Sequence, residues 1–449
     1  MPVQPRTPPG VLELLPPQQI AFQRMLDTIR RGFERFGFMP VETPVFERTD
    51  ILLTKSGGET EKQVYFVQST GSVKQGDAPE LALRFDLTVP LARYVAEHEH
   101  ELVFPFRRYQ IQRVYRGERA QKGRYREFYQ CDIDVVGKDT LALGYDAEVP
   151  AVIYGIFNEL AIGKFTIRIN NRKLLRGLLE TFGWEEAKHA DVLHEIDRLG
   201  KLERADVVQR ITALGAGQAA ELVDFLADAP RDQQVFERLR ARDNATLRDG
   251  ADELERVYTG GIALGIPSAA FAIDLSIARG LDYYTGTVYE TFLDDHTRLG
   301  SICSGGRYEN LAGHYTKSKL PGVGISIGAT RLFSQLLEMN LIGVAAQTVA
   351  HVLVMNVEPT LSATYAELAT ELRTAGMNVE VYGSDDKLAK QFKYADRSKV
   401  PLAIVFGSRE REGGVVKVKD LRTTTEHEVP RGELVARIQA LLDCPGSLR

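Results

Sequence analysis

The sequence contains few cysteines and tryptophans and no long apolar run. Of 449 residues only three are cysteine (Cys131, Cys303 and Cys444) and one is tryptophan. The cysteines lack the spacing of a zinc module, so neither a disulfide framework nor a structural zinc site is expected. No run of about 18 apolar residues offers a membrane span, and MPVQPRTPPG lacks the pattern of a secretory signal. We therefore expect a cytoplasmic protein without a membrane partner.

The sequence also lacks a strong excess of charge of either sign. It holds 56 Lys and Arg against 61 Asp and Glu, a formal net charge of −5. Any contact with a polyanion must therefore use a local basic patch. Hydrophobic residues make up 44% and charged residues 26%, as in ordinary globular proteins. The length predicts about three domains of roughly 150 residues each.

Periodicity along the chain predicts an α+β fold. Helical spacing runs from Gln18 to Phe36, and a proline that breaks the extended segment 40–46 predicts that this segment lies at an edge or an interface. Segments 107–116 and 128–136 are predicted as two antiparallel strands. Residues 171–258 have the composition of a helical module, and 262–337 return to strands with a helix from about Thr330. From His351 onward, HVLVMNV, NVEVYG, PLAIVFG and GVVKVKDL alternate with helical segments, which predicts a parallel or mixed sheet.

The segment 106–134 concentrates positive charge. Residues 106–126 contain eight Lys and Arg and a single acid, Glu118. Arginine forks match phosphate oxygens, so a phosphate ligand is one interpretation, and a solvated basic hairpin is the other. Gln130, Asp132 and Asp134 follow at strand period, which predicts that they share a face able to receive a cationic group.

Three glycine- and tyrosine-containing segments are further candidates. In IARGLDYYTGTVYETF, the adjacent Tyr283 and Tyr284 would point to opposite faces of a strand, so that one can pack while the other reaches a ligand. A tyrosine-rich hairpin with glycine at its turn is the other interpretation. The glycines of SGGRYENL (304–311) fit either a hairpin turn or close approach to a small ligand. In GVGISIGATRLF (322–333), glycines on one strand face leave room for a flat ligand, and Arg331 at the helix start can meet a phosphate.

Two other segments have both a structural and a functional interpretation. In LRFDLTVPLARY, Asp86 and Thr88 are predicted on one strand face, although helix capping would also account for Thr88. In DKLAKQFKYADRSK, a basic helical face lies opposite apolar positions, and it suits either solvent or a phosphate backbone. This basic face consists of Lys387, Lys390, Lys393 and Arg397. No histidine pairs with Ser or Cys in a nucleophile motif, so covalent catalysis is not expected.

Taken together, these segments resemble the class II aminoacyl-tRNA synthetases and, in detail, the histidyl-tRNA synthetase family. GFMPVETPVFE resembles motif 1, RGERAQKGRYREFYQCDID motif 2 and GVGISIGATR motif 3. RGLDYYTGTVYE and SGGRYENL resemble the two histidine-specific signatures, and KLAKQFKYADRSKVPLAIVFG the anticodon-binding domain. Asp86 and Asp134 stand where many members have glutamate, and motif 3 has GATR rather than the commoner Gly-x-Glu-Arg.

The resemblance implies a class II catalytic domain with an antiparallel sheet, a helical insertion and a C-terminal α/β anticodon-binding domain. The implied boundaries are 1–170 and 260–338 for the catalytic domain, 171–259 for the insertion, 339–349 for a linker and 350–449 for the anticodon-binding domain. Motif 1 implies a homodimer.

The implied reaction is ATP-dependent activation of L-histidine to histidyl-adenylate, followed by transfer to the 3′ end of tRNA(His), with Mg²⁺ expected alongside ATP. The resemblance implies catalytic roles for Arg116, Arg279 and Gln130. It implies histidine binding by Asp86, Leu87, Thr88, Arg116, Gln130, Asp134, Arg279, Tyr283, Tyr284 and Tyr308. It implies ATP binding by Arg116, Glu118, Arg124, Phe128 and Arg331, and tRNA binding by Lys387, Lys390, Lys393 and Arg397. No metal ligand is assigned.

Three rival functions share this fold. The regulatory subunit of ATP phosphoribosyltransferase resembles the chain only to about residue 335, so the C-terminal α/β domain argues against it. Synthetases for threonine, proline or glycine share the anticodon domain but not the RGLDYY and GGRY signatures. In a non-enzymatic RNA-binding or kinase-regulating domain, a complete ATP site would be superfluous.

Overall fold

The computed structural model describes residues 3–53, 64–119, 123–199, 202–215, 217–278, 284–344 and 346–443. The chain divides into two compact units, Met1–Leu12 with Met25–Ile342 and Glu13–Arg24 with Gly343–Arg449. Within the described ranges, no helix combines the length and hydropathy needed to cross a membrane. The domain boundaries implied by the family remain predictions.

The secondary structure up to residue 344 mixes both element types. Its strands are β1 (Met39–Pro40), β2 (Phe46–Arg48), β3 (Tyr65–Val67), β4 (Leu81–Leu83), β5 (Phe106–Tyr115), β6 (Glu127–Val136), β7 (Phe165–Asn171), β8 (Phe271–Ile273), β9 (Thr287–Leu293), β10 (Cys303–Tyr308) and β11 (Gly322–Gly328). Its helices are α1 (Pro16–Arg35), α2 (Thr49–Leu52), α3 (Thr70–Gln75), α4 (Thr88–Glu97), α5 (Gly144–Leu160), α6 (Arg172–Thr181), α7 (Glu186–Ile196), α8 (Arg204–Thr212), α9 (Ala219–Ala227), α10 (Gln234–Arg240), α11 (Ala245–Ala263) and α12 (Ala329–Glu338). Short 3₁₀ turns occupy Ser268–Ala270, Asp294–Leu299 and Ala312–His314.

An eight-stranded sheet organises the larger unit, in the order β1-β5-β6-β11-β10-β9-β7-β8. Its central strands are antiparallel, and only the outermost pairs β1–β5 and β7–β8 are parallel. The α+β prediction is therefore confirmed. Pro40 lies in the edge strand β1, where its missing N–H breaks no central ladder. The preceding helix buries its apolar stripe, including Met25, Ile29 and Phe33, and Gly37 follows it at a φ of 75°.

A second, three-stranded antiparallel sheet has the order β2-β4-β3. Glu47 and Ala82 are buried on one of its faces, whereas Phe66, which pairs with Ala82, is 46% exposed. Strand alternation places Phe46 and Leu81 on the opposite face, where they are 51% and 42% exposed. We call Phe46 and Leu81 the exposed apolar face.

The described part of the stretch predicted as helical forms helices α6 to α11, each burying its apolar positions. Val192 and Ile196, whose spacing led to the prediction, are fully buried on α7. The last helix, α11, continues to Ala263, beyond the boundary at 259 that the family resemblance implied.

The C-terminal unit contains β12 (Val352–Val354), β13 (Val379–Val381), β14 (Leu402–Val405), β15 (Val415–Asp420) and β16 (Thr425–Pro430), with α13 (Ser362–Thr374), α14 (Leu388–Ser398), α15 (Ser408–Glu412), α16 (Leu434–Asp443) and 3₁₀ turns at Pro359–Leu361 and Arg431–Glu433. The strand order is β13-β12-β14-β15-β16, with β12 parallel to both neighbours and the last two pairs antiparallel. The predicted mixed sheet is confirmed, but β16 was missed because TEHEVP is mostly polar. Both sheet faces are covered, one by α13 and α16 and the other by α14.

Candidate active site

The candidate site lies on one face of the large sheet, over β5, β6 and β11. The register pairs Asp132 with Gln110 on one side and with Ser326 on the other. Gln130 Nε2 donates to Ser326 Oγ over 2.9 Å and lies 3.4 Å from Asp132 Oδ1. Gln130, Asp132 and Asp134 share this face, as their spacing predicted.

Three carboxyl groups, those of Asp86, Asp132 and Asp134, are buried together at this face. Burial raises the pKa of Asp134 to about 7, and the like charges of Asp132 and Asp86 add to the rise. Burial and Asp132 likewise raise the pKa of Asp86 to about 6. The pKa of Asp132 is also raised, again by burial. The neighbouring positive charge of Arg108 and Arg116 does not offset the effect of burial on these pKa values, and a bound cation would further favour the ionised form of the cluster.

Arg108 supplies the fixed counter-charge of this cluster. Its side chain is fully buried, and Nη2 lies 2.6 Å from Asp134 Oδ2. The same nitrogen donates to the carbonyl of Leu87 over 3.5 Å. Arg108 Nε and Nη1 have no hydrogen-bond partner in the described part of the chain. From the sequence, Arg108 was predicted only as one cation of the basic segment, whereas the strand register pairs it with Asp134.

Asp86 does not lie on a strand, contrary to the prediction, because β4 ends at Leu83 and α4 begins at Thr88. Thr88 does not cap the helix either. Leu87 is the N-cap residue without a side-chain bond, and Asp86 Oδ1 accepts the N–H of Val89 over 3.2 Å. The other oxygen of Asp86, Oδ2, is buried and has no partner among the described residues. One carboxylate oxygen of Asp86 thus accepts an N–H of the first turn of α4, and the other is available to a ligand.

Arg116, Phe128 and Gln130 converge beside Asp86. Arg116 Nε donates to the carbonyl of Phe85 over 3.0 Å, and Nη2 donates to Gln130 Oε1 over 3.4 Å. The guanidinium carbon lies 5.1 Å from the centre of the Phe128 ring, within the range of a cation–π contact. The fork of Arg116 is thereby held next to the acidic cluster.

Tyr308 and Tyr284 form an aromatic wall of the site. The Tyr308 hydroxyl donates to Asp134 Oδ1 over 3.0 Å. Tyr284 lies outside the strands, contrary to its predicted place on one, since β9 begins at Thr287. A Cβ added to Gly306 would lie 2.8 Å from the Tyr284 ring, so the ring packs directly on this glycine.

Most glycines of the two candidate segments lie against protein atoms rather than in a turn or beside open space. Gly305 and Gly306 lie inside β10 rather than in a hairpin turn, and a Cβ on Gly305 would meet the carbonyl of Gly324 at 2.1 Å. The space at Gly322 is filled by the Tyr308 ring and that at Gly324 by the Asp134 carboxylate. Of the three β11 glycines, only Gly328 faces open space.

The positive charge of segment 106–126 is less available to a ligand than its count predicted. Arg107 pairs with Glu148, Arg108 with Asp134 and Arg113 with Glu127, while Arg126 donates to the carbonyl of Glu118. Arg124 is 63% exposed at its side chain and lies 3.4 Å from Glu118 Oε2. Arg116 and Arg126 donate to backbone carbonyls, and the carboxylate contact of Arg124 is longer than those of Arg107, Arg108 and Arg113.

Arg331 lies in the first turn of α12, as predicted, and its Nη2 donates to the carbonyl of Leu299. Arg279 and Tyr283 lie outside the described residues. In the C-terminal unit, the four residues of the basic face are exposed, and Leu388, Phe392 and Ala395 pack against the sheet. Lys390, Lys393 and Arg397 lie on α14, whereas Lys387 is the N-cap residue before it rather than part of the predicted helical face. Lys390 also pairs with Asp386 at 2.8 Å. No group of three or more potential ligand side chains in the described ranges could hold a metal ion.

Comparison with known families decides the relationship. Residues 10–332 match the family described as histidyl-tRNA synthetase, and residues 351–441 match the anticodon binding domain. The chain belongs to the histidyl-tRNA synthetase family. This confirms the prediction from the sequence that the protein is a class II aminoacyl-tRNA ligase.

Relatives of this family match nearly the whole chain. The histidine–tRNA ligase of Xanthomonas campestris pv. campestris (strain 8004) is 55% identical over 464 residues, covering 98% of this chain and 97% of that protein. The histidine–tRNA ligase of Xylella fastidiosa (strain M23) is 56% identical, with coverages of 98% and 99%. The crystal structure of histidyl-tRNA synthetase from Nostoc sp. PCC 7120 superposes with a TM-score of 0.90 at 40% identity, covering 98% and 100%.

Proposed function

We propose that the chain joins L-histidine to tRNA(His) in two steps on the site over β5, β6 and β11. In the first step a carboxylate oxygen of histidine attacks the α-phosphorus of ATP, and the bond to pyrophosphate breaks. In the second step the terminal ribose of the tRNA attacks the carbonyl carbon of histidyl-adenylate, and AMP leaves. Family membership supports this reaction, and the following assignments extend it to individual residues.

One observation carries the assignment of the amino-acid end. The cation of Arg116 is bonded to the carbonyl of Phe85, and the next residue is Asp86 with its unpartnered Oδ2. A fixed positive group and a negative group thus adjoin each other, which complements the carboxylate and α-ammonium of an amino-acid zwitterion. Because Asp86 is buried, a bound ammonium would meet a charge that water screens little.

The imidazole end is assigned to Asp134, Gln130 and the two tyrosines, with Leu87 and Thr88 at the start of α4 lining the pocket. Asp134 accepts the Tyr308 hydroxyl and pairs with Arg108, so its carboxyl group is held in one orientation. An amino acid without a matching N–H would leave these buried polar groups unpaired, which is a strong basis for rejection.

For ATP, we assign Arg116 to the α-phosphate, where it would stabilise the charge that develops on the equatorial oxygens. Arg279 is assigned to the other side of the same phosphate on the family resemblance alone. Arg331 and Arg124 are assigned to the distal phosphates, and Glu118 with Phe128 to the adenine. Mg²⁺ would arrive bound to the phosphates of ATP. No described residue is assigned to it, because none belongs to a group arranged to hold a metal ion.

We assign tRNA binding to the basic face of α14. Its four cations are exposed while the opposite side of the helix is buried, so they can follow a phosphate backbone. A homodimer through motif 1 is supported by the exposed apolar face, since Phe46 lies within that segment and large apolar side chains that stay exposed mark interfaces. We place the enzyme in the cytoplasm, where tRNA is charged for translation.

ATP–pyrophosphate exchange with each of the twenty amino acids, without tRNA, tests the proposed function. We expect exchange with histidine alone. Exchange with another amino acid would contradict the pocket assignment. No exchange with any amino acid would contradict the activation step and favour the regulatory-subunit or non-enzymatic alternatives.

A further inference from the structure

Arg307 belongs to the SGGRYENL segment, but its side chain points away from the site described above. Strand alternation on β10 places Arg307 and Tyr308 on opposite faces of the sheet. Arg307 is 7% exposed and reaches Asp146 on α5, which is fully buried. Its Nε lies 3.1 Å from Asp146 Oδ1, and its Nη2 lies 2.6 Å from Oδ2, so the contact is a bidentate fork. Nη2 also donates to the carbonyl of Leu141 over 3.1 Å.

The backbone and stem of Arg307 contact the segment that carries Tyr284. The carbonyl of Arg307 accepts the N–H of Thr285 over 2.9 Å. A Cβ added to Gly286 would lie 2.9 Å from Arg307 Cδ, so the arginine stem lies directly against this glycine. On its other side, Gly286 accepts the N–H of Arg172 over 2.9 Å. The chain just after Tyr284 is therefore held between β10 and the start of α6.

The positions of both tyrosines of the aromatic wall are thus linked to the position of Arg307. Tyr308 follows Arg307 directly in the strand. Tyr284 precedes Thr285, whose N–H donates to the carbonyl of Arg307. The Tyr284 ring packs on Gly306, the residue before Arg307. A shift of Arg307 would move the Tyr308 hydroxyl relative to Asp134 and the Tyr284 ring relative to the sheet.

We propose that Arg307, held by its buried ion pair with Asp146, is a positioning residue that sets the aromatic wall of the histidine pocket. The inference rests on the proposed function, which assigns Tyr284 and Tyr308 to histidine. A buried ion pair contributes little net stability compared with an apolar pair of similar volume. Its bidentate geometry, however, restricts orientation more than an apolar contact does, and that restriction is what the pocket requires.

The test is the double variant Arg307→Met/Asp146→Leu, which removes both charges together and leaves neither buried alone. We expect a thermal midpoint close to that of the wild type, a KM for histidine at least tenfold higher, and a KM for ATP within twofold in pyrophosphate exchange. The matched control is Arg107→Met/Glu148→Leu, an ion pair with the same helix α5, in which Arg107 has no hydrogen bond to the described part of the segment that carries Tyr284. It should change neither KM.

A folded double variant with an unchanged KM for histidine would overturn the positioning role. A parallel rise of both KM values would also overturn it, because that indicates general loosening. If the double variant does not fold, Arg307→Lys decides between the outcomes. Lysine cannot form the fork, so we expect a severalfold rise of the histidine KM alone, and no rise overturns the role. Tyr308→Phe separates this inference from the proposed function. If the histidine KM rises in Tyr308→Phe but not in the Arg307 variants, only the role of Arg307 is overturned. If it rises in neither, the pocket assignment is overturned.

Discussion

Replacing Asp86 by asparagine should stabilise the free enzyme and weaken its binding of histidine. Burial raises the pKa of Asp86 from 3.8 to about 6, so the ionised form of this carboxyl group costs folding free energy. At ~1.36 kcal/mol per pKa unit, the cost is about 3 kcal/mol when the group is fully ionised. Asparagine keeps an oxygen for the N–H of Val89 and carries no charge, so it removes the cost.

The stability gained by Asp86→Asn should increase with pH. The folded-state pKa lies above the unfolded one, so the cost is absent below about pH 3.8, grows with pH and is complete above about 6. The gain of Asp86→Asn should therefore be larger at pH 8 than at pH 5, by about 1.4 kcal/mol. Urea unfolding of both proteins without ligand at these two pH values measures it.

The same change should raise the KM for histidine in pyrophosphate exchange at pH 8. A hydrogen bond to a charged group contributes about 1.5–3 kcal/mol, which corresponds to roughly a 10- to 150-fold increase. Asp249→Asn, an exposed carboxylate on α11, is the matched control and should change neither quantity. A variant less stable than the wild type at pH 8, with an unchanged histidine KM, would refute both the buried charge cost and the assignment of Asp86.

Three further predictions follow from the site, the basic face and the exposed apolar face. Arg116→Ala should slow adenylate formation by roughly 10²–10³-fold, the effect of one lost preorganised donor, and an equal loss in Arg113→Ala on the exposed side of β5 would contradict a specific role. Changing the four residues of the basic face to glutamine should raise the KM for tRNA and leave pyrophosphate exchange unchanged. The slope of log KM against log salt concentration should fall by about 0.7–0.9 per lost phosphate contact. Arg409→Gln/Arg411→Gln is the control within the same unit, and an equal effect there would leave only bulk charge as the cause. Phe46→Glu should halve the mass measured by light scattering, whereas Val103→Glu, at a site 82% exposed, should not; a wild-type monomer would contradict the dimer.

Local pattern was enough to predict the features that depend on neighbouring residues in the chain. The apolar spacing of α1 and the period-two placement of Gln130, Asp132 and Asp134 both appear in the structure, because helices and strands repeat over a few residues. The alternation of strand-like and helical segments also predicted the C-terminal strands up to β15. It failed at β16, whose polar letters carry no apolar signal, and at Asp86, which lies between β4 and α4.

The sequence by itself determined the family, the α+β class and the set of candidate residues, since these follow from motifs and periodicity. Only the tertiary structure decided which charges remain for a ligand. Arg108 and Arg307 are equally arginines in conspicuous segments, yet both are buried in ion pairs, the second with a partner 161 residues away. It also decided that Gly324 leaves space for a carboxylate of the protein rather than for a flat ligand. Partners of this kind depend on strand register and on burial, and neither is a property of the local sequence.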